Sequence, residues 1–161
     1  MKNELTVLRS IRHCQTIAKK LDEECKKMAL SSFCAVNFPR GTMAQIQEIA
    51  ELVYKRDLTE RYFATVVKAI GDMPRGYRAL MLAVYVKKAS KTQLCMKYGV
   101  SLATIYRKLE AARKLFVKKL QAEEAEEQWF VTVYDALEKF YTVLQKQTFD
   151  DAYYAYVNAL N

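Results

Sequence analysis

The chain has 161 residues, 52% of them apolar, with only 4 Gly and 2 Pro: enough apolar side chain for a real core, and too little punctuation for anything but long helices. No apolar run approaches the ~18 to 20 residues of a membrane span, and Met1-Lys2-Asn3-Glu4 opens a charged pattern rather than a secretory leader, so a soluble cytoplasmic protein is expected. The net charge of +8 is unevenly held, with +3 on residues 1–74, +11 on residues 75–120 and −6 on residues 121–161.

The first helix is predicted from Glu4 to Met28. Val7, Ile11, Cys14, Ala18, Leu21, Cys25 and Met28 alternate spacings of four and three, and Leu8 and Ile17 widen that stripe. His13, the lone histidine, is expected on the polar flank. Ser31 to Arg40 breaks the pattern, and Phe38-Pro39-Arg40-Gly41 reads as a loop because Pro lacks the N–H and Gly tolerates positive φ. Thr42 to Gln45 then matches a capping box opening a second helix. Its apolar positions run Ile46, Ile49, Val53, Leu58, Tyr62, Val66 and Ile70; Asp57 and Glu60 could cap a fresh start, so one helix or two are both allowed. Gly71-Asp72-Met73-Pro74 ends this region, and charge and spacing both change from Arg75 onward.

After Ser101 there is neither Gly nor Pro, so helix is expected to pass residue 120 into the acidic stretch Glu123 to Glu127, a solvated face rather than a metal cluster. Phe130, Val133, Leu137, Phe140 and Leu144 form another seam. Thr148 to Asp151 resembles a cap before a Tyr-rich helix with Tyr153, Tyr154, Tyr156, Val157 and Leu160. Cys14, Cys25, Cys34 and Cys95 are scattered without C-x-x-C spacing, so buried thiols are expected rather than zinc. The predicted fold is all-α in three segments: N-terminal helices over 1–74, a module over 75–120, and an acidic C-terminal helical extension over 121–161. Two apolar seams outside the module suggest a homodimer.

The segment 75–120 carries the chemistry. It holds 12 Lys/Arg against Glu110 alone; solubility accounts poorly for that imbalance, and a polyanion is the natural partner. Within residues 91–109 the demands of two closely crossing short helices are met together. Cys95 is small where the helices cross, Gly99 can end the first helix in a left-handed conformation, Val100 plugs the turn and Ser101 caps the second helix. Leu94, Ile105 and Leu109 point inward. That leaves Ser101, Leu102, Ala103, Thr104, Tyr106 and Arg107 outward, with Glu110 on the same side. In such a motif the start of the second helix enters the major groove of duplex DNA. Arg107 has the planar fork for guanine or phosphate, Thr104 a hydroxyl and a methyl for base edges. Lys87, Lys88, Lys91, Thr92, Lys97 and Lys108 surround that face and suit contacts that position the backbone.

From Ile70 to Leu120 the chain resembles region 4 of sigma-70-type RNA polymerase sigma factors, above all the compact extracytoplasmic-function kind. The residues that carry the resemblance are Met73-Pro74, Arg78-Ala79-Leu80-Met81-Leu82, Tyr85, Gly99 through Tyr106, and Leu109 through Phe116. The resemblance implies a helix-turn-helix that reads promoter DNA through Ser101, Thr104, Tyr106 and Arg107, with RNA polymerase as a candidate partner. Where that family shows an acid in the first helix of the motif, this chain has Lys91-Thr92-Gln93. Nothing before residue 70 resembles the sigma region that binds core polymerase, so the resemblance points to a small sigma-like regulator of phages, prophages and other mobile elements. No enzyme is expected: there is no triad, metal or phosphate-loop spacing, and no cofactor is implied. The alternative is an oligomeric adaptor for DNA packaging that docks DNA through the same motif. A sizing column separates the two, large rings indicating the adaptor and a monomer or dimer the regulator.

Overall fold

A computed structural model describes residues 4–34, 42–124 and 128–161. The described residues form seven α-helices and one π-helical segment, with no strand among them. The helices are α1 (Glu4–Cys34), α2 (Thr42–Gly71), α3 (Arg75–Met81), α4 (Lys91–Tyr98), α5 (Leu102–Glu124), α6 (Gln128–Leu144) and α7 (Phe149–Ala159), the π-helical segment being Leu82–Val86. No described helix is long and apolar enough to cross a membrane. The all-α expectation is met.

Two compact units are present, neither of them continuous in sequence. Unit 1 comprises Met1–Arg12 with Phe63–Phe130, and unit 2 comprises His13–Tyr62 with Val131–Asn161. Segment 75–120 therefore falls wholly within unit 1.

α1 outlasts the sequence reading, running to Cys34 rather than stopping at Met28. The Ser31 hydroxyl donates to the Met28 carbonyl at 2.8 Å, an i−3 bond that lets a serine sit inside a helix instead of ending it. The loop read at Phe38 to Gly41 lies outside the described residues. α2 is one helix, not two. Asp57 does not open a new helix; its carboxylate instead accepts from Arg56 Nε and Nη2 at 3.1 and 3.0 Å. The start of α2 also departs from its apolar pattern, with Ile46 exposed and Gln45 buried. Gln45 tolerates burial because its Nε2 donates to the Met28 carbonyl at 2.9 Å.

In unit 2, Cys14, Ile17, Leu21, Leu58, Tyr62, Val133, Leu137 and Phe140 are buried, as are Tyr153 and Tyr156. Each large apolar side chain so buried contributes about 1.5–3 kcal/mol. The Thr59 and Tyr156 hydroxyls meet at 2.6 Å, so the buried ring brings its polar tip to a partner. Burial pushes the Tyr156 phenol well above its ordinary pKa, opposed by that hydrogen bond. Cys25 is buried as expected, and desolvation raises its thiol as well. Thr148 caps α7 in a reciprocal capping box with Asp151, where the sequence places a cap. His13 is not on a polar flank: its ring lies 5.4 Å from Phe140 and 5.6 Å from Tyr141. Position 13 borders the Cys14–Ile17 stripe, so a planar ring there leans onto aromatic neighbours.

Most of both predicted seams is buried: Val7, Ile11, Cys14 and Leu21 on α1, and Phe130, Val133, Leu137 and Phe140 on α6.

A candidate nucleic-acid interface in unit 1

The core of unit 1 is centred on α5. Ile105, Leu109, Ala112, Phe116 and Leu120 are buried at spacings of four and three, one continuous stripe along the helix. α3 and α4 both pack against α5, bringing Leu80, Met81 and Leu94 into the same buried set. Whatever lies opposite that stripe on α5 is thereby turned outward.

The turn between α4 and α5 is built as the residue types demand. α4 opens on a capping box: Ser90 Oγ accepts from Gln93 N and the Gln93 amide oxygen accepts from Ser90 N. It closes on Gly99 at φ 61 and ψ 34, whose N–H donates to the Cys95 carbonyl. This left-handed position costs a glycine nothing and strains any β-branched residue. Two residues on, Ser101 Oγ accepts from Thr104 N at 3.3 Å and caps the first turn of α5. Leu94, Ile105 and Leu109 point inward as the spacing predicts, while Cys95 and Val100 are half-buried.

Between α3 and α4 the backbone does what periodicity does not reveal. Residues Leu82–Val86 form a π-helical turn, closed by Lys87 N to Leu82 O at 3.0 Å and Ala89 N to Ala83 O at 2.9 Å. Lys88 takes φ 55, uncommon for a residue with a Cβ. Such π turns concentrate at functional sites.

The predicted DNA-contacting residues fall into three groups. Ser101, Ala103, Tyr106, Arg107 and Lys108 are exposed along the start of α5. Tyr106 keeps 51% of its surface and Leu102 beside it 47%. Thr104 is half-buried, and its hydroxyl lies 3.0 Å from Ser101 Oγ, so the two are held together in the cap rather than standing free for a base. Lys91, the first residue of α4, is half-buried with Nζ 4.6 Å from the Tyr106 ring centroid. That cation–π contact joins one predicted backbone contact to the predicted reading face. Thr92 and Lys97 are exposed on α4, the latter with Nζ 5.7 Å from the Tyr98 ring. Lys87 and Lys88 are exposed after the π turn. Glu110, the only acid of the segment, is engaged by Lys114 at 3.0 Å. Arg107 has no carboxylate partner among the described residues.

Sequence reasoning did not find three arginines. Arg9 and Arg12 on α1 and Arg113 on α5 line one groove with Lys91, and Arg113 Nε donates to the Tyr85 hydroxyl at 2.7 Å. Nothing in the spacing of α1 signals this, since some 80 residues separate Arg12 from Lys91; only the fold brings them together. No group of His, Cys, Asp and Glu that could hold a metal occurs among the described residues. No family model, no curated protein and no solved structure matches this chain.

Proposed function

We propose that unit 1 binds double-stranded DNA sequence-specifically, that the start of α5 enters the major groove, and that the protein is a transcription regulator built on a sigma region 4-like helix-turn-helix. One observation carries this reading: the outward face of α5 presents Ser101, Ala103, Tyr106, Arg107 and Lys108 in a segment with 12 basic residues and one acid, while the opposite face is anchored by Ile105, Leu109 and Phe116. A slim entry at Ser101 and Ala103 allows close approach to base edges. Arg107 then supplies a bidentate donor fork that no carboxylate occupies among the described residues. Lys91, Lys97 and Lys108 flank that row and suit phosphates, which position the protein without reading sequence.

The test is selection of binding sites from random duplexes, followed by substitution. Arg107→Ala should cost about 1–3 kcal/mol on the selected site and relax preference at one base position. Lys97→Ala should weaken all sequences alike. Equal loss of specific and non-specific binding with Arg107→Ala would remove its reading role, and failure to enrich any sequence would remove the specific-binding reading altogether.

A further inference from the structure

Among the slim and polar side chains at the start of α5 stand two large apolar ones. Leu102 keeps 47% of its surface and Tyr106 51%, and residues four apart on a helix are neighbours on one face. A single exposed leucine needs no explanation. Two large apolar side chains next to each other on an exposed face are different, because an apolar contact would remove both from water. The Tyr106 ring is also held. Lys91, at the start of α4, places Nζ 4.6 Å from its centroid, so an aromatic that solvent would leave free to turn is braced from the neighbouring helix. Thr104, whose methyl the outward pattern would offer to a base edge, is half-buried with its hydroxyl 3.0 Å from Ser101 Oγ. The large apolar contact surface at this end of α5 is therefore Leu102 with Tyr106.

The chemistry of the partner follows from the surroundings. Arg107 and Lys108 come directly after Tyr106, in a segment with 12 basic residues and one acid, a setting that favours a polyanion over an apolar protein surface. In the major groove of duplex DNA, the apolar group on a base edge is the C5 methyl of thymine. We propose that Leu102 and Tyr106 read thymine methyl groups, with Lys91 as a positioning residue that holds the Tyr106 ring in place. This role rests on the reading of α5 as the groove-entering helix and adds to it a base and a chemical group. Arg107 reads by hydrogen bonds, and the Leu102–Tyr106 pair reads by burying methyls. An ammonium over a ring keeps N–H groups for a neighbouring phosphate, so bracing and backbone contact are compatible in Lys91.

The test uses the full chain and the duplex it selects from random sequence, with thymines replaced one at a time by deoxyuridine. That replacement removes the methyl and leaves the hydrogen-bonding edge intact. Fluorescence anisotropy should find at least one position where it weakens binding about fourfold, the burial of one methyl expressed as affinity. Leu102→Ala and Tyr106→Ala should each weaken binding to the thymine duplex and make thymine and uracil equivalent at a position so read. Both residues are exposed and alanine favours helix, so circular dichroism should be unchanged. Lys91→Gln should shrink the thymine-to-uracil ratio and Lys91→Arg should restore it. A lysine that only touches phosphate would lower both affinities together and leave the ratio unmoved, which overturns the positioning role. A ratio that survives both alanine substitutions assigns the methyl to another residue and overturns the proposal. So does a selected site indifferent to uracil throughout, the result expected if the pair docks a protein instead. In either case the specific-binding reading stands, because a sequence was selected. Failure to select any sequence removes that reading and the thymine role with it.

Discussion

The two units handle charge in opposite ways. In unit 2 several cations pair within the unit: Lys20 with Asp150 and Lys26 with Asp22, and Arg56 reaches Asp22 at 3.2 Å and Asp57 at 3.0 Å. Lys20 Nζ also lies 4.5 Å from the Tyr153 ring centroid. Lys26, then burial working against it, then Arg56, leave the Asp22 carboxyl below its ordinary value. In unit 1 the described carboxylate pairs are Lys68 with Glu123 and Lys114 with Glu110, against a far larger stock of cations. Surface pairs such as these contribute little to stability, ~0–1 kcal/mol each, so the contrast concerns what the charges are for. Unit 2 pairs several of its cations and buries an aromatic core; unit 1 carries many more cations than acids, the excess that the proposed DNA partner would complete.

If unit 2 is a packed scaffold, its core should break first and hardest. Phe140→Ala removes a fully buried ring and should lower the unfolding free energy by about 3–5 kcal/mol, as read by denaturant unfolding. A loss near zero would show that unit 2 is not packed as described. In unit 1 the sensitive point is a backbone angle. A Cβ at Gly99 would meet no atom within 4 Å, so Gly99→Val costs only the strain of a β-branched residue at φ 61, about 1–3 kcal/mol. Gly99→Asn should cost less, since Asn tolerates that conformation. Thermal melting that ranks glycine, asparagine and valine in any other order contradicts the turn.

Alkaline titration should affect the tyrosine-rich unit more gently. Burial raises the phenol pKa values of Tyr153 and Tyr156 above 10.0. The folded state therefore keeps protons that the unfolded state gives up, so stability is complete below pH ~10 and falls as pH rises beyond it. Tyr156→Phe should lessen that fall while costing about 1 kcal/mol at neutral pH for the lost Thr59 hydrogen bond. If the variant's stability falls above pH 10 as steeply as that of the unsubstituted protein, another group is responsible.

Much of this was legible in the sequence where the signal is local. The stop at Gly71-Asp72-Met73-Pro74, the left-handed Gly99, the Ser101 cap and the Thr148 cap each depend on a few adjacent residues, and so does the alternation of Ile105 and Leu109. What was not legible depends on partners distant in the chain. Gln45 and Thr59 are buried because Met28 and Tyr156 offer them hydrogen bonds. His13 turns onto Phe140, and Arg9 and Arg12 meet Lys91 only through the fold. The π turn at Leu82–Val86 sits in an apolar run whose composition suits an ordinary helix equally well. At the candidate interface, the outward set on α5 followed from the inward one, whereas the tie between Thr104 and Ser101 and the placing of Lys91 over Tyr106 did not.

The proposal that unit 1's excess of cations faces a nucleic-acid backbone is tested most directly by the salt dependence of duplex DNA binding. Fluorescence anisotropy should give log affinity falling linearly with log salt between about 50 and 200 mM, at ~0.9 per phosphate contacted, with a slope reporting several contacts. An affinity that does not change across that range would contradict it.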